Sequence, residues 1–295
     1  MPEEGIRELR HEDILSYEEI LRLCRVFICL GVNKFKVTGG EPLARRGVCE
    51  FIAALKALPG AESVTLTTNG VRLAEFMPAL TKAGIDGINV SLDSPDRRRY
   101  AEIARRDLLP AVLEGLEAAA VLPDFRLKLN CVILSANADD WLGLAEMARD
   151  RALAVRFIER MPLGVAERAE QIGEAEVRSA LEAAYGPLQP EELPLGPGPA
   201  VYYKLEGFKG RIGFISALSH KFCRSCRRLR LTSSGFLKTC LQYSTGVNLR
   251  PLLAESPEKA RQAAAEAIER KPAEHFFGKS ELPFRDGAAM NQIGG

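Results

Sequence analysis

Short apolar runs recur along the chain between longer stretches whose apolar positions return at helical spacing, and Gly, Pro, Asn or Asp stands at most of the changes of period. The runs Phe35–Val37, Ser63–Thr68, Gly87–Leu92, Arg126–Ile133 and Ala154–Ile158 predict strands. Helices are predicted over Val48–Leu58, Leu73–Ala83, a long stretch reaching Ala120, and Trp141–Arg151. Strands alternating with helices at this pitch make a parallel sheet, open or closed into a barrel. Ahead of the first strand, Ser16 and Glu19 have the spacing of a capping box. The helix Ile20–Leu30 follows and Gly31 ends it. Cys24 and Cys29 fall among Leu21, Val26, Phe27 and Ile28 and are expected in the core.

After Pro162-Leu163-Gly164 the pattern changes, dividing the chain at 1–164 and 165–295. Glu167–Tyr185 reads as a charged helix and Gly186–Pro199 as a Pro- and Gly-rich linker. Val201–Leu205 and Arg211–Ser216 read as strands, and Leu229–Thr232 with Phe236–Thr239 as a hairpin about Ser234-Gly235. Pro257–Glu269 is a helix, and Phe284–Gly295 is a tail too small to fold alone.

A chain of 295 residues can bury a full core. Its 46 % apolar and 27 % charged content is that of a soluble globular protein. A formal net charge of +1 excludes a strongly basic nucleic-acid binder, so an anion site must come from local clustering. No apolar run reaches membrane-spanning length. Seven cysteines without a signal peptide point to a reducing, cytoplasmic compartment.

Polar residues gather at the C-terminal strand ends: Thr38, Glu41, Thr67, Asn69, Ser91, Asp93, Asn130 and Glu159. In a barrel that edge holds the site. The paired glycines of Thr38-Gly39-Gly40-Glu41-Pro42 let a ligand approach the backbone, and Glu41 can accept from an ammonium group or cap the next helix. Lys34, Lys36, Lys128 and Arg156 lie on or beside apolar strands, where a cation costs desolvation unless it meets an anion. Lys36 and Lys128 are therefore candidates for binding a polyphosphate, with solvent-facing edge positions as the alternative.

The segment His220–Cys240 holds Cys223, Cys226 and Cys240 among Lys221, Arg224, Arg227, Arg228 and Arg230. Two cysteines two residues apart can turn both sulfurs to one metal, and a third returns after a hairpin-length interval. Three readings stay open: zinc completed by His220, an iron-sulfur cluster with one open iron, or unpaired thiols of a basic loop.

Thr38-Gly-Gly-Glu-Pro-Leu43, Thr67-Thr-Asn-Gly70, Asn89-Val-Ser-Leu-Asp93, Arg156-Phe-Ile-Glu159, the cysteine segment and the final Gly294-Gly295 together resemble the radical SAM GTP 3',8-cyclase family of molybdenum cofactor biosynthesis. The resemblance covers essentially the whole chain. It implies a (β/α)6-type TIM-like barrel, here missing its first strand, over residues 1–164, and a C-terminal cluster-binding region over 165–295. It also implies two 4Fe-4S clusters, S-adenosylmethionine, and cyclisation of GTP to (8S)-3',8-cyclo-7,8-dihydroguanosine 5'-triphosphate. Implied partners are GTP, a reductant, and the cyclic pyranopterin monophosphate synthase that takes the product; a homodimer is one allowed assembly.

By position, Gly40, Ser91 and Met161 resemble S-adenosylmethionine contacts, with Gly39 and Glu41 completing the loop. Lys36, Thr67, Lys128 and the segment Arg228-Leu229-Arg230 resemble GTP contacts, with Lys34 and Arg156 near the triphosphate. Cys223, Cys226 and Cys240 resemble the ligands of the second cluster. The family's first cluster uses a Cys-x3-Cys-x2-Cys run ahead of a Met-Pro like Met1-Pro2, and none occurs in these residues. Cys24, Cys29 and Cys49 lack its spacing. The expectation is a misassigned start or a fragment, inactive as it stands, with a GTP-binding module stabilised by zinc or a cluster as the competing class and a TIM-barrel phosphate enzyme as an unrelated one.

Overall fold

Ser16 and Glu19 open the first helix by reciprocal capping. The Ser16 hydroxyl accepts from the Glu19 N–H at 3.1 Å, and the Glu19 carboxylate accepts from the Ser16 N–H at 2.7 Å. The computed structural model describes residues 10–122, 125–162, 172–192 and 195–277. Helix α1 spans Tyr17–Cys29, and the alternation then runs β1 (Lys34–Val37), α2 (Val48–Lys56), β2 (Ser63–Thr68), α3 (Leu73–Lys82) and β3 (Gly87–Ser91). It continues with α4 (Arg97–Ala104), α5 (Leu109–Ala120), β4 (Arg126–Val132), α6 (Trp141–Glu146) and β5 (Ala154–Ile158).

Three expectations need correction. The stretch reaching Ala120 is two helices, because Arg105 takes the left-handed conformation at φ 58° and ends the first. Helix α6 stops at Glu146 rather than Arg151, since the carbonyls of Ala148 and Arg149 accept instead from Gly210 and Lys209 at 2.9 and 2.8 Å. Cys24 is buried but Cys29 is exposed. Five residues carry Cys29 roughly 140° around the helix, away from the face formed by Leu23, Cys24, Val26 and Phe27.

The remaining elements are α7 (Glu174–Tyr185), β6 (Gln189–Pro190), β7 (Val201–Lys204), β8 (Arg211–Ile215), β9 (Arg230–Leu231), β10 (Phe236–Lys238), β11 (Gly246–Asn248), α8 (Leu249–Glu255) and α9 (Pro257–Glu269). The boundary at Gly164, the start of the helix expected from Glu167, the Met1-Pro2 start and the tail Phe284–Gly295 lie outside the described residues. Neither β11 nor α8 is evident from sequence pattern.

One open sheet has the order β1-β2-β3-β4-β5-β8-β7-β6, with β1 at one edge. Pairing is parallel from β1 through β8 and antiparallel from there to β6. Of the strands after residue 164, β8, β7 and β6 therefore extend the first sheet, with β8 paired directly to β5. Strand periodicity of two gives this sheet two unlike faces. Val64, Leu66, Ile88, Val90, Leu129, Val155, Phe157, Ile212 and Phe214 are buried in the main core. Each such side chain contributes roughly 1.5–3 kcal/mol. The opposite face is polar, which is unusual for parallel strands, commonly buried on both sides.

A second apolar cluster joins Leu15, Leu23 and Phe27 of the α1 region to Leu237, Leu249, Leu253, Ala260 and Ala264. It fixes the small sheet β11-β10-β9 beside the large one. The Arg250 guanidinium reinforces it, donating to Glu19 at 2.9 Å and to the Glu12 carbonyl at 2.6 Å. Since Glu19 both caps α1 and meets Arg250, Ser16→Ala is expected to lower unfolding free energy by about 1 kcal/mol. Urea denaturation checks this; an unchanged midpoint would mean that the cap adds nothing.

Candidate functional site

The register of the parallel strands assembles the polar face. Thr67 is opposite Asn89, Asn89 opposite Lys128, Ser91 opposite Asn130, and Asn130 opposite Arg156. Arg156 is buried, with 5 % exposure. Its guanidinium donates to Asn89 Oδ1 at 2.6 Å and from Nε to Asn130 Oδ1 at 2.8 Å, and it also meets the Tyr202 side chain. Asn89 Nδ2 in turn donates to Thr67 Oγ1 at 3.2 Å. These named partners are neutral oxygens. Gly213 makes room for the arrangement: a Cβ there would stand 2.8 Å from the Tyr202 ring and 3.1 Å from Arg156 Cγ.

Two lysines share this field. Burial, then the like charges of Arg156, Lys36 and Arg126, lowers the Lys128 pKa to about 7. Its Nζ lies 5.4 Å from the Tyr202 ring centroid and donates to the Leu195 carbonyl. Burial, then the charges of Arg156, Arg228 and Arg230, lowers Lys36 to about 8. Lys36 nonetheless keeps accessible surface, the combination expected of a side chain lining an open cleft. Its couplings bring β1 and β5 together with the cysteine segment. Lys34 shares the Lys36 side of β1, two residues farther from the polar rim. Leu229 makes no polar contribution, since it packs against the second apolar cluster.

The strand-end loops are held by carboxylates. Glu41 Oε1 accepts from the Leu43 N–H at 3.0 Å and the Thr68 hydroxyl at 2.7 Å, and Oε2 accepts from the Asn69 N–H at 2.7 Å. Glu41 thus ties the loop after β1 to the end of β2. Gly39, at φ 151°, and Gly40 have nothing within 4 Å of where a Cβ would be, so their backbone borders open space. Ser91 is exposed at the end of β3, and Met161 is half-buried three residues past β5. Asp93 accepts from the Val132 N–H at 2.8 Å, and burial pushes its pKa up to about 6.

Glu159 does for β5 what Glu41 does for β1. It accepts from the Leu218 and Ser219 N–H groups at 2.7 and 3.0 Å and from the Ser219 hydroxyl, fixing the turn that leads to the cysteines. Burial works to raise its pKa, but these hydrogen bonds outweigh it and lower the value. His220 points to Glu174, 3.3 Å from its carboxylate.

Cys226 is half-buried. Burial acts to raise its pKa, yet the Arg228 backbone and charge, with Lys271, lower it. Arg230 has its pKa lowered to about 10 by burial and by Arg228, while Cys226 and Cys240 act in the opposite sense. Tyr243 is raised by burial and then by Cys240, Glu274 and Cys223. The three thiols therefore share one neighbourhood. Among the described residues no three Cys, His, Asp or Glu side chains stand close enough to hold a single metal ion. A zinc site gathers its sulfurs into one coordination sphere, whereas a cluster spreads them over separate irons. Cys223, Cys226 and Cys240 could hold an iron-sulfur cluster in these cationic surroundings, while His220 is turned to Glu174. Sequence reasoning missed Tyr202 and the segment after α9, where Lys271 and the His275 N–H approach Cys226 and Cys223. Neither position has a motif that would reveal it.

The Radical SAM superfamily model matches residues 3–148, and the Molybdenum Cofactor Synthesis C model matches residues 153–277. A curated relative from Pelotomaculum thermopropionicum, named GTP 3',8-cyclase, is 41 % identical over 100 % of this chain and 92 % of its own length. Its namesakes from Moorella thermoacetica and Alkaliphilus metalliredigens are 39 % and 38 % identical with the same coverage. Among solved structures, Streptococcus suis SuiB bound to S-adenosylmethionine matches with TM-score 0.57 at 12 % identity, covering 89 % of this chain and 61 % of that one. That likeness concerns the fold alone. Among the described residues no helix is long and apolar enough to cross a membrane. The identities over the whole chain and the two adjoining models together show the family: the chain belongs to the GTP 3',8-cyclase family.

Proposed function

We propose that this chain takes the GTP triphosphate on the cationic polar face of its sheet and S-adenosylmethionine at the strand-end loops. The reaction is cyclisation of GTP to (8S)-3',8-cyclo-7,8-dihydroguanosine 5'-triphosphate, the radical SAM step of molybdenum cofactor biosynthesis, whose product a cyclic pyranopterin monophosphate synthase takes on. The observation that carries the reading is the convergence of Lys36, Lys128 and Arg156 from the sheet with Arg228 and Arg230 from the cysteine segment. Crowded cations with lowered pKa values gain most from a polyanion, because each phosphate oxygen both pairs with them and relieves their repulsion.

Within this reading, Thr67 stands on the ligand side of the face, while Asn89, Asn130 and Tyr202 hold the Arg156 fork. Lys34 extends the same charge along β1. Gly39 and Gly40 offer backbone groups to the amino-acid part of S-adenosylmethionine, with Glu41 fixing the loop rather than binding from a free carboxylate. Ser91 and Met161 complete that site. Cys223, Cys226 and Cys240 would hold a 4Fe-4S cluster. A reduced iron-sulfur cluster supplies the electron that cleaves S-adenosylmethionine, with the reductant external. We read residues 1–164 as supplying β1–β5 of a partial barrel whose sheet β8 continues, and 165–295 as the region that also carries the GTP-facing cluster.

Binding of GTP tests the pocket directly. Losing one charge-assisted contact costs roughly 1.5–3 kcal/mol, about 10- to 150-fold in Kd, so Lys128→Ala and Arg230→Ala should each weaken titrated GTP by that factor. Unchanged affinity in both would sink the site.

The pH dependence has a defined sign. Lys128 and Lys36 have pKa values of about 7 and about 8 without ligand, and a bound triphosphate favours their charged forms, raising both. Binding should take up protons and weaken as pH rises from about 7 to about 9. Calorimetry in buffers of different ionisation enthalpy reads the uptake, and a pH-independent Kd with no proton exchange would contradict it.

A further inference from the structure

Resting on the cluster reading above, the segment after α9 reaches two of the three thiols. Lys271 Nζ lies 3.7 Å from Cys226 Sγ and donates to the Arg228 carbonyl at 2.8 Å. The His275 backbone N–H donates to Cys223 Sγ at 3.4 Å. This strap is fastened along its length. The Phe276 N–H donates at 2.6 Å to Oε1 of Gln242, which is 1 % exposed. The Tyr243 hydroxyl donates to the Glu274 carbonyl at 3.3 Å, and Lys221 reaches both the Glu274 carboxylate and the His275 carbonyl at 3.4 Å. The His275 ring packs on Phe277 at 4.5 Å, with both nitrogens buried and facing the Ala217 backbone. Its contact with sulfur is therefore made by the main chain, which a fixed ring helps to place.

We propose that Lys271–Phe277 is the outer shell of the cluster site, in which the Lys271 ammonium and the His275 N–H are positioning groups that donate to the Cys226 and Cys223 sulfurs and raise the cluster's reduction potential. Thiolates carry more negative charge when the cluster is reduced, so hydrogen bonds and positive charge at the sulfurs favour the reduced form. Lys271 can deliver both, because its bond to the Arg228 carbonyl holds its amine beside the sulfur. A lysine that only supported the loop through that carbonyl would affect folding or iron retention and leave the potential where it was. The two roles are separable.

The test uses the full chain and its Lys271→Met and Lys271→Arg variants, reconstituted anaerobically with iron and sulfide. Iron analysis should give about four irons per chain in each. In an EPR-monitored titration with dithionite, Lys271→Met should lower the equilibrium constant for one-electron reduction about tenfold, equivalent to about 59 mV more negative, while Lys271→Arg stays near the parent. A fully loaded Lys271→Met with the parent's potential overturns the proposal. If Lys271→Met sheds its cluster, the same titration on the neutral Lys271→Gln decides: a potential more negative than the parent's supports the donor role, and the parent's potential, or loss of the cluster here too, overturns it. A parent chain that takes up no iron overturns the cluster reading itself, and this inference falls with it.

Discussion

Mutual repulsion among cations on one face of a parallel sheet is the constraint on which the arrangement depends. Lys36, Lys128, Arg156, Arg228 and Arg230 act on one another strongly enough that burial and like charge together depress Lys36, Lys128 and Arg230. Placing cations so close costs several kcal/mol unless something offsets it. The fold offsets part of the cost with neutral oxygens, most completely at Arg156, where the carboxamides of Asn89 and Asn130 and the Tyr202 side chain replace water without neutralising the charge. A carboxylate in their place would stabilise the free protein more and leave less affinity for a polyanion. The apolar opposite face, filled by residues such as Leu66, Val90, Leu129 and Phe157, supplies the stability that lets the polar face remain electropositive.

That division of labour explains where the acids are. Glu41 and Glu159 stand at strand ends near the cations, yet each spends its oxygens on loop donors: Leu43, Thr68 and Asn69 for one, Leu218 and Ser219 for the other. Turned toward loop N–H groups, they do not neutralise the polar face. They also set the two loops that the proposed chemistry needs, the glycine pair after β1 and the turn into the cysteines. A carboxylate collecting backbone N–H groups is well suited to this, since each charge-assisted bond is stronger than a neutral one and fixes a main-chain position.

Much of this was legible in the sequence because it violates local expectation. A lysine or arginine inside an apolar strand, as at Lys36, Lys128 and Arg156, has to meet something, and three cysteines at hairpin spacing among arginines do not pack like core thiols. What stayed hidden depends on pairing across the fold. Tyr202 sits in an ordinary alternating strand, and only the register with Gly213 brings it to Arg156. Cys29 looked like a core residue because its neighbours are apolar, whereas burial follows angular position on α1. The change of composition near Gly164 suggested a break, but β8 continues the sheet across it, a pairing set by contacts more than fifty residues apart in sequence. Lys271 and His275 lie after a polar helix with no motif to mark them.

The cysteine segment is held from three directions: by the Glu159 turn after β8, by the apolar cluster linking α1 to α8 and α9, and by the strap that follows α9. Such anchoring matters because the same arginines face both ways. Arg228 lowers the Cys226 pKa and also acts on Lys36, while Arg230 feels Cys226 and Cys240 on one side and acts on Lys36 on the other. Thiolates in the sulfur site thus partly compensate the cations of the polar face, and a polyanion on that face competes for the same positive charge. By reciprocity, any charge gained by the sulfur site weakens the hold on the anion, and anion binding makes negative charge at the sulfurs less favourable. The two halves of the candidate site are coupled through Arg228 and Arg230, so rigid placement of the segment determines how strongly each half senses the other.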